Sequence, residues 1–148
     1  MKKLRRYGHE TSIENMVRYI NDIAGVRLIC SFTSDIYRLA EMIGNQSDLK
    51  VLSIKDYIKN PKMNGYRSLH LIIEVPVFFS DHKEQIRVEV QIRTIAMDFW
   101  ASLEHQLKYK KDIDDAESIM YELRACADVI NRTDYHMQSL RDRIVENL

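Results

Sequence analysis

The sequence predicts an α+β fold, a β-sheet with an antiparallel hairpin, flanked by helices and followed by a long C-terminal helix. Three observations predict it. Strand-like alternation occurs at 24–32 and again in two neighbouring runs, 66–79 and 84–93. Stretches with helical spacing separate and follow these runs. From Asp114 to the end, about 35 residues contain neither glycine nor proline. With 148 residues, 45% apolar and 30% charged, the chain can bury one sizeable core, and a single domain over 1–148 is expected.

The first strand is expected over Ala24–Phe32, where Val26, Leu28, Cys30 and Phe32 alternate with Arg27, Ile29 and Ser31. Ser34 then offers an N-cap for a helix with Ile36, Leu39, Ala40 and Ile43 on one face, and Gly44 offers its stop. A short strand near Lys50–Ile58 leads to Asn60-Pro61-Lys62-Met63-Asn64-Gly65, a loop in which proline fixes one turn position and Asn-Gly tolerates positive φ. The two later strands, joined through Ser80-Asp81-His82-Lys83, read as an antiparallel hairpin. Leu69, Leu71, Ile73 and Val75 share one face with Val88, Val90 and Ile92; Tyr66, Ser68, His70 and Glu74 share the other with Arg87, Glu89, Gln91 and Arg93.

Thr94 is an expected N-cap for a helix from Ile95 to about Lys110, which should cover the sheet with Ile95, Phe99, Trp100, Leu103 and Leu107. In the last helix, over 114–148, Leu123, Ile130, Met137 and Ile144 recur every seven residues. Cys126, Thr133 and Leu140 flank this seam on one side, and Ala127, Asp134 and Arg141 on the other. Packing on its own domain accounts for the first turns, and contact with another subunit for the rest.

No apolar run approaches the length of a transmembrane helix, and no apolar segment follows the opening charges as in a signal peptide, so a cytoplasmic protein is expected. Cys30 and Cys126 read as buried free thiols, neither a disulfide nor a zinc pair. Net charge is zero, from 22 Lys and Arg against 22 Asp and Glu, which excludes bulk polyanion binding. The halves differ: residues 1–70 carry 12 basic and 7 acidic side chains, a net +5, and residues 71–148 carry 10 and 15, a net −5. A local basic site for a phosphorylated ligand remains open.

Neither a P-loop nor a dinucleotide glycine motif is present, so phosphates must be held by side chains. No His-Glu-x-x-His or Gly-x-Ser-x-Gly motif points to hydrolysis. The adjacent Glu104 and His105 admit a metal or acid/base reading, His9, His82 and His136 read as surface residues, and Phe99 and Trp100 as core. A polar sheet face such as Arg87/Glu89/Gln91/Arg93 is commonly just solvated. Asp22, just before the first strand, and Glu89 are also the two carboxylates that a hard divalent cation in phosphoryl transfer would need, if they converge. Lys55, Lys59, Lys62, Arg67 and His70 cluster around the glycine loop. They are equally a solvated charge run or, with Tyr66 as a stacking surface, a nucleotide site.

The segments NDIAGVRLICSF at 21–32, KDYIKNPKMNGYRSLH at 55–70 and VEVQIRTIAMDFWASLEH at 88–105, with the lysine-tyrosine run that follows, resemble the synthetase domain of the RelA/SpoT family, specifically its small alarmone synthetases. The resemblance covers roughly residues 20 to 111. It implies a nucleotidyltransferase-like fold, a mixed and mostly antiparallel β-sheet flanked by helices, and a GTP diphosphokinase, which transfers pyrophosphate from ATP to the 3′-hydroxyl of GDP or GTP with Mg²⁺ as cofactor. By resemblance Asp22 is a Mg²⁺ ligand, and Glu89 contacts the metal or takes the proton from the 3′-hydroxyl. Tyr66 stacks on guanine, with Lys55, Lys62, Asn64 and His70 around the acceptor. Arg27 faces the adenine of ATP, Gln91 lies in the same cleft, and Arg93 and His105 match family positions. A homo-oligomer, a tetramer, is implied as well.

The family carries further helices before the Asp-Ile-Ala-Gly segment, including a basic stretch that contributes to ATP binding. Here only about twenty residues precede Asp22, so 1–20 read as a remnant of that region. Acceptor binding is then expected to survive better than catalysis. The hydrolase half is not expected, since only a reversed Asp81-His82 pair is found. The alternatives are a catalytically impaired guanine-nucleotide or alarmone-binding module that oligomerises through its last helix, and an RNA-binding domain, which lacks a matching motif.

Overall fold

The computed structural model describes residues 24–108 and 115–147, together with Gly8 and Glu10. Asp22, His9 and the rest of the 1–20 segment apart from Gly8 and Glu10 lie outside the described residues. The elements are β1 (Ala24–Cys30), α1 (Thr33–Gly44), β2 (Lys50–Asp56), β3 (Leu69–Phe78), β4 (Lys83–Thr94), α2 (Ile95–Lys108) and α3 (Ala116–Glu146). The strands form one four-stranded sheet in the order β1-β4-β3-β2. β3 pairs antiparallel with β2 and β4, whereas β1 lies parallel to β4, with Arg27 opposite Gln91 and Gly25 opposite Glu89. The sheet is therefore mixed and mostly antiparallel, flanked by helices, as the family resemblance implies.

The face of Leu69, Leu71, Ile73, Val90 and Ile92 is buried and closes a core with Cys30, Ile36, Ile58 and Met97. α1 supplies Ile36, with Leu39, Ala40 and Ile43 packed around that core, as their spacing requires. Ser34 is not its N-cap. The helix begins one residue earlier, after an extended Phe32 that gives no side-chain cap, and the Ser34 N–H donates to Gln138 Oε1 of α3 at 3.0 Å. The orphan amide at this helix start is satisfied across the fold rather than locally. Thr94 does cap α2: its Oγ accepts from the Met97 N–H at 3.1 Å and its hydroxyl donates to Asp134 Oδ2 of α3 at 2.5 Å.

α2 packs against α3 more than over the sheet. Trp100, Ala101 and Ala127 form a second buried cluster with Tyr66, Leu123 and Ile130, and Trp100 Nε1 donates to the Leu123 carbonyl at 2.8 Å. Phe99 is 58% exposed, so it is not core, and Leu103 and Leu107 are exposed too. On α3 the buried positions are Ala127 and Asp134, one step round from the expected seam, and Met137 and Ile144 face out. A small residue and a hydrogen-bonded carboxylate let the helix approach closely, which a hydrophobicity pattern does not reveal. Cys30 is buried, which pushes its thiol above the ordinary range; Cys126 is exposed, contrary to expectation. Among the described residues no helix is long and apolar enough to cross a membrane.

Candidate active site

The sheet face away from α1 carries the polar residues. Cross-strand register places Arg27, Gln91, His70 and Lys55 in one row across all four strands, with Gly25, Glu89 and Ile72 in the next. Alternation on each strand puts these side chains on one face, and the pairing brings together residues far apart in sequence.

Tyr66 enters from the loop before β3. Gly65 adopts φ +91°, a left-handed conformation that the Asn-Gly pair anticipates, and its N–H donates to the Lys62 carbonyl at 2.8 Å. Lys62 N–H returns a bond to the Tyr66 carbonyl at 3.1 Å, and Asn64 Oδ1 accepts from the Tyr66 N–H at 3.1 Å. The Asn64 amide also donates to Glu104 Oε1 at 3.1 Å, so this residue organises the loop. The Lys62 ammonium lies 4.8 Å from the ring centroids of both Tyr57 and Tyr66, and the Arg93 guanidinium 5.2 Å from that of Tyr66. Such cation–π contacts mark a ring in an electropositive setting.

A directional hydrogen-bond chain crosses the site. Arg93 Nη2 donates to the Tyr66 hydroxyl and to Gln91 Oε1, each at 2.8 Å. Arginine can only donate, so the Tyr66 proton goes to His70 Nε2 at 2.9 Å, which places the imidazole proton on Nδ1, 3.1 Å from Glu89 Oε1. Gln91 Nε2 donates to Glu89 Oε2 at 3.4 Å. Both Glu89 oxygens thus accept, the pattern of an ionised carboxylate. Burial pushes His70 below its ordinary range; Glu89 pulls it up, and Lys62 and Arg93 push it down. A neutral imidazole between Tyr66 and Glu89 agrees with the bond order.

Arg93 is the buried hinge of the site, 5% exposed, with Nη1 on Asp98 Oδ1 at 3.1 Å and its Nε without a partner. Asp98 also pairs with Arg27 at 3.4 Å. Arg27, Tyr66, Arg93, Glu104 and His105 line an open cleft of about 410 Å³ between the sheet and α2. Glu104 is buried and His105 exposed, so the two do not form a joint acid/base pair. Neighbours on a helix point about 100° apart. Among the described residues no group of three or more His, Cys, Asp and Glu is placed to hold a metal ion.

The structure therefore brings Arg27, Tyr66, His70, Glu89, Gln91 and Arg93 together, with Lys55 and Lys62 beside them and His105 at the cleft rim. Asp98 and Tyr57 escaped the reading of the sequence, which named Glu104 only beside His105 and not as the partner of Asn64. Asp98, in the first turn after an expected cap and five positions from Arg93, carried a usable signal; Tyr57 and the Asn64–Glu104 bond did not, because only tertiary packing brings these residues to the loop.

A family model described as a region found in RelA and SpoT proteins matches residues 1–114. The GTP pyrophosphokinase YwaC of Bacillus subtilis is 46% identical over 97% of this chain, and YjbM of the same organism 36% over 88%. The chain spans 69% and 62% of the lengths of these two relatives. Among solved structures, small alarmone synthetase 2 of Bacillus subtilis superposes with a TM-score of 0.84 at 45% identity, covering 96% of this chain and 73% of that one. Small alarmone synthetase 1 of the same bacterium, bound to its product pppGpp, gives 0.83 at 34%, covering 97% and 72%. The sheet order, the polar face built on it and relatives of this identity along nearly the whole length agree: the chain belongs to the RelA/SpoT family.

Proposed function

We propose that the chain is a (p)ppGpp synthetase, which transfers the pyrophosphoryl group of ATP to the 3′-hydroxyl of GDP or GTP. The observation that carries this reading is the Tyr66–His70–Glu89 chain: an aromatic platform ringed by cations, linked through a neutral imidazole to an ionised carboxylate. A guanine base stacks on Tyr66, with Lys55 and Lys62 at hand for its phosphates. A 3′-hydroxyl is a weak acid, so a positioned base is needed to take its proton, and Glu89 is the carboxylate in place to do so. His70 and Gln91 hold that carboxylate from both sides. Arg27 and Arg93, steadied by Asp98, present positive charge to the donor along the cleft.

Mg²⁺ fits this site as a cation held by one or two carboxylates and completed by substrate phosphates. Glu89 is one such carboxylate, since the 3.4 Å contact with Gln91 leaves Oε2 only weakly engaged, and Asp22 would be the other. When bound, the ion neutralises charge that develops on the transferring group. Asp22→Asn should raise the Mg²⁺ concentration needed for half-maximal activity; unchanged titration curves would count against that assignment.

The partner supported by the surface is a second copy of the chain. Phe99, Leu103, Leu107, Cys126 and Val129 line an apolar groove of about 490 Å³ between α2 and α3, and Met137, Ile144 and Val145 extend apolar exposure along α3. A cytoplasmic setting supplies both nucleotides. The test of the main reading is incubation with labelled ATP, Mg²⁺ and GDP or GTP. A guanosine tetra- or pentaphosphate product is expected, and guanine-nucleotide binding without any product would favour the non-catalytic module.

A further inference from the structure

Arg67 follows Tyr66 in the chain, yet its side chain leaves the site and runs to α3. Its Nη2 donates to Asp128 Oδ1 at 3.1 Å, and its Nη1 lies 3.4 Å from the carbonyl oxygens of both Gly65 and Ala127. The side chain is 12% exposed, against 54% for Asp128, and its Nε is buried without a partner. A guanidinium that gives up water and leaves one donor unmade is not optimised for stability. What it does achieve is a bridge from the loop backbone to the helix backbone. The same place is pinned sterically, because a Cβ on Gly65 would stand 2.6 Å from Ala127 Cβ and 3.3 Å from Arg124 Cα.

We propose that Arg67 is a positioning residue of the acceptor subsite: it fastens the Gly65–Tyr66 backbone to α3 and so presents the Tyr66 ring already ordered to the incoming base. The proposal rests on Tyr66 being that platform. A ring held in place costs less to order on binding than one on a free loop. The planar fork of arginine, which reaches two carbonyls and a carboxylate at once, is the part of the side chain that matters, and lysine does not reproduce it.

The test compares Arg67→Gln and Arg67→Lys with Arg141→Gln, which removes the 2.8 Å ion pair between α3 and Asp35 of α1, away from the loop. For both Arg67 variants the KM and Kd for GDP should rise about tenfold while kcat at saturating GDP and the affinity for ATP stay near wild type. Arg141→Gln should leave GDP binding unchanged. Asp128→Asn, at an exposed position where folding is not at risk, should shift GDP affinity in the same direction by about threefold. Wild-type GDP affinity in Arg67→Gln, recovery of affinity in Arg67→Lys, or an equal loss in Arg141→Gln would each overturn the proposal. Amide hydrogen exchange without nucleotide gives an independent reading: Gly65–Ser68 should exchange faster in Arg67→Gln than in wild type or Arg141→Gln. That arm decides the fastening even if the wild-type protein binds no guanine nucleotide, and equal exchange rates would refute it.

Discussion

Glu89 and Gly65 show how unlike residues constrain the same site. Glu89 accepts from His70 at 3.1 Å and from Gln91 at 3.4 Å, so Glu89→Gln keeps the shape and one acceptor oxygen while removing the proposed base. Loss of a positioned general base lowers turnover by about 10²–10⁴-fold. Product formation should fall by that amount while GDP binding and melting temperature change little; wild-type turnover would remove Glu89 from the role. Gly65 constrains through space and conformation. Its φ of +91° and the 2.6 Å approach of an added Cβ to Ala127 leave no room for a side chain. Gly65→Ala should cost about 1–3 kcal/mol from the backbone conformation alone, read as a fall in the denaturant midpoint. An unchanged midpoint would mean that the loop backbone can leave the left-handed conformation, and α3 draw back, without cost.

At the level of elements, α3 is held by polar contacts as much as by apolar ones, and Asp134 is the deepest of them. It is 6% exposed; burial raises its carboxyl above the ordinary value of 3.8, and the Thr94 hydroxyl lowers it in part. A carboxyl whose folded value is raised contributes full stability below pH 3.8, and that contribution is lost as the pH rises through the raised value. Asp134→Asn keeps an acceptor for Thr94 and sheds the buried charge. It should melt no lower than wild type at pH 7, with its advantage shrinking as the pH falls toward 4; a large loss at pH 7 would show that the ionised form is required. The strands and the cap at Thr94 were legible because alternation and capping are local rules. The face α3 buries was legible only in part: Leu123 and Ile130 of the seam pack on the Trp100 cluster, but Ala127 and Asp134 are buried through small size and a hydrogen bond, and neither registers as hydrophobic periodicity. Likewise Ser34 looks like a cap in sequence, but its amide is served by Gln138, more than a hundred residues away.

For the whole molecule, Lys55 of the basic first half and Glu89 of the acidic second half share one face of the sheet, in neighbouring rows. The polar row could be read strand by strand, but the order β1-β4-β3-β2 that assembles it could not. A mass measurement in solution tests the proposed second copy. Met137→Glu combined with Ile144→Glu should shift an oligomer toward monomer, and an unchanged mass would place any interface elsewhere.

The parallel pairing of β1 with β4 has a consequence in time. β2, β3 and β4 follow one another and can zip together through near neighbours in the chain, whereas Ala24 must find Val88 and Cys30 must find Thr94, with about sixty residues between partners. Closing so long a loop is entropically slow relative to forming a hairpin. During folding the proposed acceptor side, carried by β3 and β4, should therefore acquire order before Arg27 arrives on β1 to complete the proposed donor side. In pulse-labelled hydrogen exchange the amides shared by β3 and β4 should gain protection earlier than those β1 shares with β4. Simultaneous protection would show that the nucleus already contains the long-range pair.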